Sequence, residues 1–497
     1  MTPQYLRITI GICSVVLNLS IIPGKNRQNM LIEVITMAKD LRTFLDKVKK
    51  EYPDNYATVE KPVNPADFDV TAILEHMTQK KKDPLVVFEK PKNLKGEVSD
   101  IRLVSNIFAT RARCALALDW PVEKCEHELT LEFARLDKER IKPVAVEKNA
   151  APVKDIVLKN GDTDLELLPI VKHYEMDLCP VLTMTSLMKD PDTGIYDVTF
   201  TKMFYKDPGR VAVSVHSPHL NRIIKKYEDR NEPAPMVYVL GHHPAFYLGS
   251  LALTAYDSDD YESIGSFMHE PLRLVESETW GKDFMVPADA EIIIEGVIPP
   301  GEKEVVDPFG EVTKHYQAQC LRQAFKVKAI TRRKDAIYQD IFSGHAGHWN
   351  LGSIPKEGSI FSNVNNKYGI VKAVHMPMSG VCRFACYVSI DKKREGDAMA
   401  VGLAALLESY TINYVVVVDS DIDVFDEEQV IWAMITMVDP KRDISTVNNI
   451  WTQFTTAAGY SKAIIDATKP IGTAFPGRIA IPSSAMDRIK LEDWIKF

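Results

Sequence analysis

The chain has 497 residues, more than one hydrophobic core ordinarily supports, so two or three domains are expected. Apolar residues make up 45% and charged residues 26%, the balance of a globular protein. A formal net charge of -8 argues against a general nucleic-acid binder, though it leaves room for a local basic groove around a phosphate-bearing cofactor.

Ile8 to Ile22 is apolar with one Arg before it, like the core of a signal peptide. No small-residue cleavage site follows, and about fifteen residues are short for a membrane span. Residues 1–36 are read as an extension, with a native start at Met30 or Met37. Residues 37–145 alternate helix and strand patterns. Ala38 to Tyr52 places Leu41, Phe44, Leu45 and Val48 on one helix face. Pro84 to Phe88 reads as a buried strand and Asn106 to Leu118 as a helix. Ile141 to Lys154 has the composition of a linker.

Residues 146–345 carry many short strands with turns between them: Val181 to Met188, Asp197 to Tyr205, Val211 to Val215, Met236 to Leu240, Ile292 to Val297 and Ala324 to Ile330. That density predicts a mixed or barrel-like sheet. Residues 346–497 return to a βα pattern. Tyr387 to Ile390 and the β-branched run Tyr414 to Asp419 are strands, the latter of a sheet buried on both faces. Asp397 to Ser409 and Glu427 to Met437 are helices. Pro470 to Arg478 is a turn-rich connection to a terminal helix, Ser484 to Phe497. The fold class is α/β. Seven scattered cysteines, an odd number, fit a reducing, cytoplasmic compartment.

Several segments carry candidate chemistry. In Asp307-Pro308-Phe309-Gly310-Glu311 the Pro and Gly fix a tight turn that aims Glu311. A carboxyl held in a partly apolar turn is expected to have a raised pKa and to serve as a general acid, although such a turn is also commonly structural. Asp197 and Lys202 lie an odd number of residues apart, so an unbroken strand points them to opposite faces, and they serve one site if the strand is bent or if they act on neighbouring groups. Ser217-Pro218-His219 precedes a basic helix, where a His can meet a metal or an anion. Neighbouring His242 and His243 cannot both face one site from a strand, which leaves Asp260 in the downstream acidic run as the more useful residue. His345 and His348 lack a third zinc ligand. Asp419, Asp421 and Asp423 read best as an acidic loop capping the next helix.

Taken in order, these segments resemble the UbiD family of decarboxylases, from about Ala38 to about Pro440. The ordered pieces are Lys189-Asp190-Pro191-Asp192-Thr193-Gly194, Pro218-His219-Leu220, Gly241-His242-His243-Pro244-Ala245, Glu270-Pro271-Leu272, Val286-Pro287-Ala288, Glu291-Ile292-Ile293-Ile294-Glu295-Gly296, Pro308-Phe309-Gly310-Glu311, and Val418 to Phe425 with Val430-Ile431-Trp432-Ala433 behind it. The stretch Asp197 to Thr201 looks closest to the branch acting on hydroxybenzoates and related aromatic acids.

The resemblance implies a central split β-barrel domain that holds prenylated FMN, flanked by α/β domains, the C-terminal one also serving oligomerisation. It implies a divalent metal, usually Mn2+, with K+, bridging the protein to the flavin phosphate. The family's Asn, His and Glu ligands fall here on Asp197, His219 and Asp260, which keep donors suited to a hard cation. Cofactor contacts would come from Asp197, Thr199, Phe200, Thr201 and Lys202, and from Pro218, His219 and Ser250. The family's Glu-Arg-Glu catalytic group departs more. Its last Glu is Glu311, its Arg falls on Lys202 and its first Glu falls on Val306, with Glu304 nearby. Arg and Lys are not equivalent, since Arg presents a planar fork and Lys a point charge.

The implied activity is reversible, non-oxidative decarboxylation of an aromatic or α,β-unsaturated acid, Glu311 protonating the carbon that CO2 leaves. A flavin prenyltransferase would supply the cofactor, and a homodimer or higher homo-oligomer is expected, with no membrane partner. Val306 and Lys202 keep open a partner-dependent or non-catalytic subunit of a multi-subunit carboxylase. A metal-binding α/β protein without flavin is a third reading.

Overall fold

The helix Leu41–Glu51 begins at a reciprocal cap: the Thr43 N–H donates to the Asp40 carboxylate at 2.9 Å, and the Asp40 N–H donates to the Thr43 hydroxyl at 3.0 Å. Leu41, Phe44, Leu45 and Val48 form its buried stripe, as their spacing predicts. The computed structural model describes residues 5–10, 13–18, 38–253, 255–452 and 461–496. The chain divides into two units, one running to Leu351 and one starting at Gly352.

In the first unit, Leu85–Phe88 is buried along its whole length in a four-stranded sheet. The strand order is Ile337–Gln339, Arg102–Ser105, Leu85–Phe88, Tyr56–Val59. The helix expected from Asn106 is shorter, Arg111–Ala117. Asn106 has a left-handed backbone (φ 68°), and Thr110 caps the helix by accepting from the Arg113 N–H. The expected linker contains a two-residue strand, Val144–Ala145, parallel to Arg273–Ser277.

A ten-stranded sheet dominates this unit, and two of the expected strands are broken within it. Val181 to Met188 divides into Val181–Leu182 and Thr185–Lys189, and Asp197 to Tyr205 divides at Thr201 into Tyr196–Phe200 and Lys202–Asp207. The halves sit at opposite ends of the sheet's main strand path. Tyr196–Phe200 pairs with Thr185–Lys189, and Lys202–Asp207 pairs with Val181–Leu182 and with Arg210–Ser214. The Thr201 N–H donates to the Met184 carbonyl at 3.0 Å where both breaks meet. The two ends are therefore tied by single residues, while no ladder closes the ring. This is a curled, split barrel within a mixed α/β fold.

In the second unit, five strands run in the order Val371–His375, Ala385–Ile390, Tyr414–Asp419, Ser461–Ala467, Ile444–Asn448. Val415 and Val417 pack with Val401 and Ala405 of the helix Asp397–Glu408. Val416 and Val418 pack with Val430 and Ala433 of Glu427–Met437. The central strand is thus buried on both faces, as its composition predicts. Asp426, rather than the Asp419–Asp423 run, caps Glu427–Met437. Asp419 accepts from the Lys469 N–H, and Asp421 pairs with the Lys469 ammonium. The expected terminal helix is reduced to Ser483–Arg488 and a short turn at Leu491–Asp493.

Part of the N-terminal extension, Tyr5–Ile10 and Cys13–Asn18, forms an antiparallel pair, and the rest lies outside the described residues. Among the described residues no helix is long and apolar enough to cross a membrane.

Candidate active site

The ladder register decides which side chains share a face. Lys202 lies opposite Ser214, Ala212 opposite Ala324, and Val306 opposite Cys320. Facing residues of an antiparallel pair point the same way, so Lys202, Phe204, Ala212, Ser214, Cys320 and Val306 occupy one side. On that side Phe204, Ala212 and Val306 pack with Val181 and Phe309. The Lys202 ammonium stands 4.9 Å from the centre of the Phe309 ring and forms an ion pair with Glu311.

The turn that carries Glu311 is held from several directions. The Gly310 N–H donates to Asp177 at 2.9 Å, and the Ser343 hydroxyl donates to the Gly310 carbonyl at 2.7 Å. The Glu311 N–H donates to the His315 carbonyl, and the Trp349 indole donates to the Val312 carbonyl. Tyr174, tied to the Ser343 carbonyl at 2.6 Å, lies close against Gly310, where no side chain has room. These contacts fix the carboxylate before any ligand arrives.

The expected raised pKa for Glu311 is overturned. Burial does push it up, but the Lys202 ammonium outweighs that and His216 adds to it, so the group sits below its ordinary value and is ionised. His216, partly open to solvent at the end of Arg210–Ser214, is lowered by the crowding around its ring and by the charges of Lys202 and Arg322. Glu304 is not at the site, being paired to Arg210 at 2.6 Å.

A second cluster forms on Tyr196–Phe200. His219 Nδ1 is 3.3 Å from Asp197 Oδ2. Burial raises the Asp197 carboxyl to about 6, with His219 opposing. Asp197 Oδ1 is buried without a hydrogen-bond partner, an acceptor that a cation would satisfy. An oxygen and an imidazole nitrogen so placed fit a divalent ion. Asp260 uses one oxygen to accept from the Val198 N–H at 2.8 Å, fixing the strand beside Asp197. Among the described residues no three His, Cys, Asp or Glu side chains gather closely enough to hold a metal.

Of the remaining expected contacts, Pro218 opens the helix Pro218–Asp229, capped by Ser217. The Thr201 hydroxyl meets Ser186, Phe200 approaches the Tyr247 ring at 5.9 Å, and the Ser250 hydroxyl donates to the Tyr247 carbonyl. Thr199 lies opposite Ser186. His242 and His243 are buried and serve the turn there: His243 accepts from the Ala245 N–H as a helix cap, and burial lowers His242 to about 3. His345 meets Thr78, and His348 lies in the helix Ala346–Tyr368 rather than a loop. Sequence reasoning missed Asp177, His216 and Arg322, whose neighbours in space are remote in sequence and which no local motif marks; Asp307 lay in the quoted turn but was not singled out.

Three family models match the chain, described as the N-terminal, Rift-related and C-terminal domains of 3-octaprenyl-4-hydroxybenzoate carboxy-lyase (UbiD), over residues 49–130, 144–346 and 350–467. An anhydromevalonate phosphate decarboxylase of Methanothermobacter thermautotrophicus is 32% identical, covering 87% of this chain and 98% of the relative. A phenolic acid decarboxylase of Streptomyces sp. (strain D7) is 28% identical over 92% and 97%. The UbiD-class enzyme HmfF of Pelotomaculum thermopropionicum, in an evolved dimeric form with prFMN, superposes with a TM-score of 0.82 at 31% identity, over 92% of this chain and all of that one.

Proposed function

The chain belongs to the UbiD family of carboxy-lyases, and from that premise we propose that it reversibly decarboxylates an aromatic or α,β-unsaturated carboxylic acid using prenylated FMN, with Glu311 moving the proton. The observation that carries this reading is the ion pair between half-buried Lys202, on its strand, and buried Glu311, on a turn held from several directions. Lys202 has three donors and spends one on Glu311, so it can also orient a substrate carboxylate. The apolar surroundings, Phe204, Val306 and Phe309, keep water from that carboxylate and favour loss of neutral CO2. When bound, the prenylated flavin supplies the sink for the electrons that CO2 leaves behind. Glu311, ionised at rest, takes a proton from the Lys202 ammonium paired with it and donates that proton to the carbon, and Lys202 is recharged from solvent. In the carboxylating direction it takes that proton back.

Asp197 and His219 would hold a divalent cation such as Mn2+, assisted by K+, at the flavin phosphate, with Asp260 fixing the strand beside them. Thr199, Phe200, Thr201, Pro218 and Ser250 would border the flavin. Partners in this proposal are a flavin prenyltransferase and a second copy of the chain.

The test uses protein co-produced with a flavin prenyltransferase and a panel of phenolic, acrylic and phosphorylated unsaturated acids, assayed for CO2. Glu311→Gln is expected to abolish CO2 release and isotope exchange while keeping flavin bound. Normal turnover by that variant removes Glu311 from the role. The apolar Val306 favours one rival, a partner-dependent subunit, which predicts turnover only after a second protein is added.

A further inference from the structure

His219, Arg222 and Lys226 stand three and four residues apart on the helix Pro218–Asp229, so they share one face. Tyr256 lies along that face. Its ring meets the His219 ring at 82° with centroids 5.2 Å apart, and the Arg222 guanidinium carbon stands 3.9 Å over its centre. The ring is held by its own hydroxyl, which donates to Asp190 Oδ2. The same oxygen accepts from the Lys226 ammonium at 2.6 Å. Asp190 is 3% exposed, and its other oxygen accepts from the Asp192 N–H at 2.8 Å and the Thr193 N–H at 3.2 Å. The Lys189–Gly194 turn thus fixes Asp190, Asp190 fixes Tyr256, and Tyr256 carries Arg222.

The other cations of this helix and its end are spent. Lys225 pairs with Asp229, Lys226 with Asp190 and Asp192, and Arg230 with Asp192. Arg222 is exposed and makes no hydrogen bond or ion pair among the described residues. A guanidinium laid on an aromatic face keeps its N–H donors in its own plane and is ordered before a ligand arrives. Its planar fork matches a phosphate with two parallel hydrogen bonds. One turn earlier, His219 faces Asp197, whose Oδ1 is buried without a partner. Residues three apart on a helix have Cβ atoms about 5–6 Å from each other. The guanidinium and the candidate cation ligand are therefore neighbours on one surface.

We propose that Arg222, laid on Tyr256, takes the phosphate of the flavin beside the cation held by Asp197 and His219. The proposal rests on the reading of Asp197 and His219 as a cation site at a flavin phosphate. Arg222 supplies the direct donors. Tyr256 acts through Arg222 and is a positioning residue, and Asp190 keeps its ring in place.

The test is flavin binding by the full chain produced without cofactor, with Mn2+ present, followed by quenching of flavin fluorescence. FMN and riboflavin differ only in the phosphate, and wild type is expected to prefer FMN. Arg222→Met keeps an unbranched stem against the ring. It is expected to weaken FMN on the order of tenfold to a hundredfold, the worth of hydrogen bonds to a charged group, and to leave riboflavin unchanged. Tyr256→Leu removes the platform and is expected to lose FMN affinity on the order of tenfold, whereas Tyr256→Phe keeps the ring and loses less. Mn2+ binding without flavin, read by electron paramagnetic resonance, is expected to be the same in Arg222→Met as in wild type. An FMN preference that survives Arg222→Met or Tyr256→Leu overturns the proposal. So does an equal loss of riboflavin or of Mn2+ in Arg222→Met, which marks a structural role. Should Tyr256→Leu not fold, the exposed Arg222 still decides the matter through Arg222→Met. Wild type that binds FMN no better than riboflavin overturns the flavin-phosphate reading and this proposal with it, whereas a wild-type preference untouched in Arg222→Met sinks the proposal alone.

Discussion

Replacing Lys202 with Met keeps an unbranched stem over Phe309 and removes only the ammonium, which isolates what that charge does for Glu311. At a normal contact of about 3 Å and an effective dielectric of about 20, the pair attraction is on the order of 5 kcal/mol. At about 1.4 kcal/mol per pKa unit, that is three to four units. Burial is the largest influence on Glu311 and acts upward, so without Lys202 the carboxyl moves from below its ordinary value to above it. In wild type, the depressed pKa contributes stability above the unfolded value, and this is lost as pH falls through the folded one. In the variant the sign reverses. The group costs stability once pH exceeds its unfolded pKa, by about 1.4 kcal/mol for each pH unit until the folded pKa is reached. Between about pH 5 and about pH 8 the cost grows by at most about 4 kcal/mol, comparable to the roughly 3–5 kcal/mol of breaking a buried pair. Urea unfolding of both proteins at the two pH values measures it, with the gap expected to widen at the alkaline end. A gap that stays constant refutes the burial argument.

Two other changes probe how the site is held. A Cβ at Gly310 would fall 2.2 Å from Tyr174 Cδ2, and Tyr174 is tied to Ser343, so Gly310→Ala is expected to displace the turn. A displacement near 1 Å costs kcat on the order of a hundredfold, read against an unchanged circular dichroism spectrum; full activity means that Tyr174 yields. His219→Ala removes the nitrogen facing Asp197, and purified protein is expected to carry less manganese and less flavin, by metal analysis and absorbance. Undiminished flavin content removes His219 from the cation site.

The α/β class, the stripe on Leu41–Glu51 and the doubly buried Tyr414–Asp419 were legible because each is a local pattern with a fixed period. The break at Thr201 was not. Asp197 to Tyr205 alternates like one strand, and only the pairing of its halves with different partners shows that the chain turns there. Asp197 and Lys202 were read as pointing to opposite faces of a strand, and the break gives them separate strands instead. The two clusters at the site, Asp197 with His219 and Lys202 with Glu311, each join residues remote in sequence.

Glu311 itself was found from its turn, yet its charge state was misread, and the reason is general. A turn between apolar residues indicates burial, and burial alone raises a carboxyl. Whether it stays raised depends on a counter-charge that a turn sequence does not contain. Here that charge is Lys202, 109 residues away. Asp307 shares the turn and the burial but has no direct ion pair, so it keeps the raised value expected of Glu311. The local reading identified the turn but not the direction of the Glu311 shift, and the two carboxyls four residues apart on it shift in opposite directions. One Lys, aimed by the strand break at Thr201, separates them.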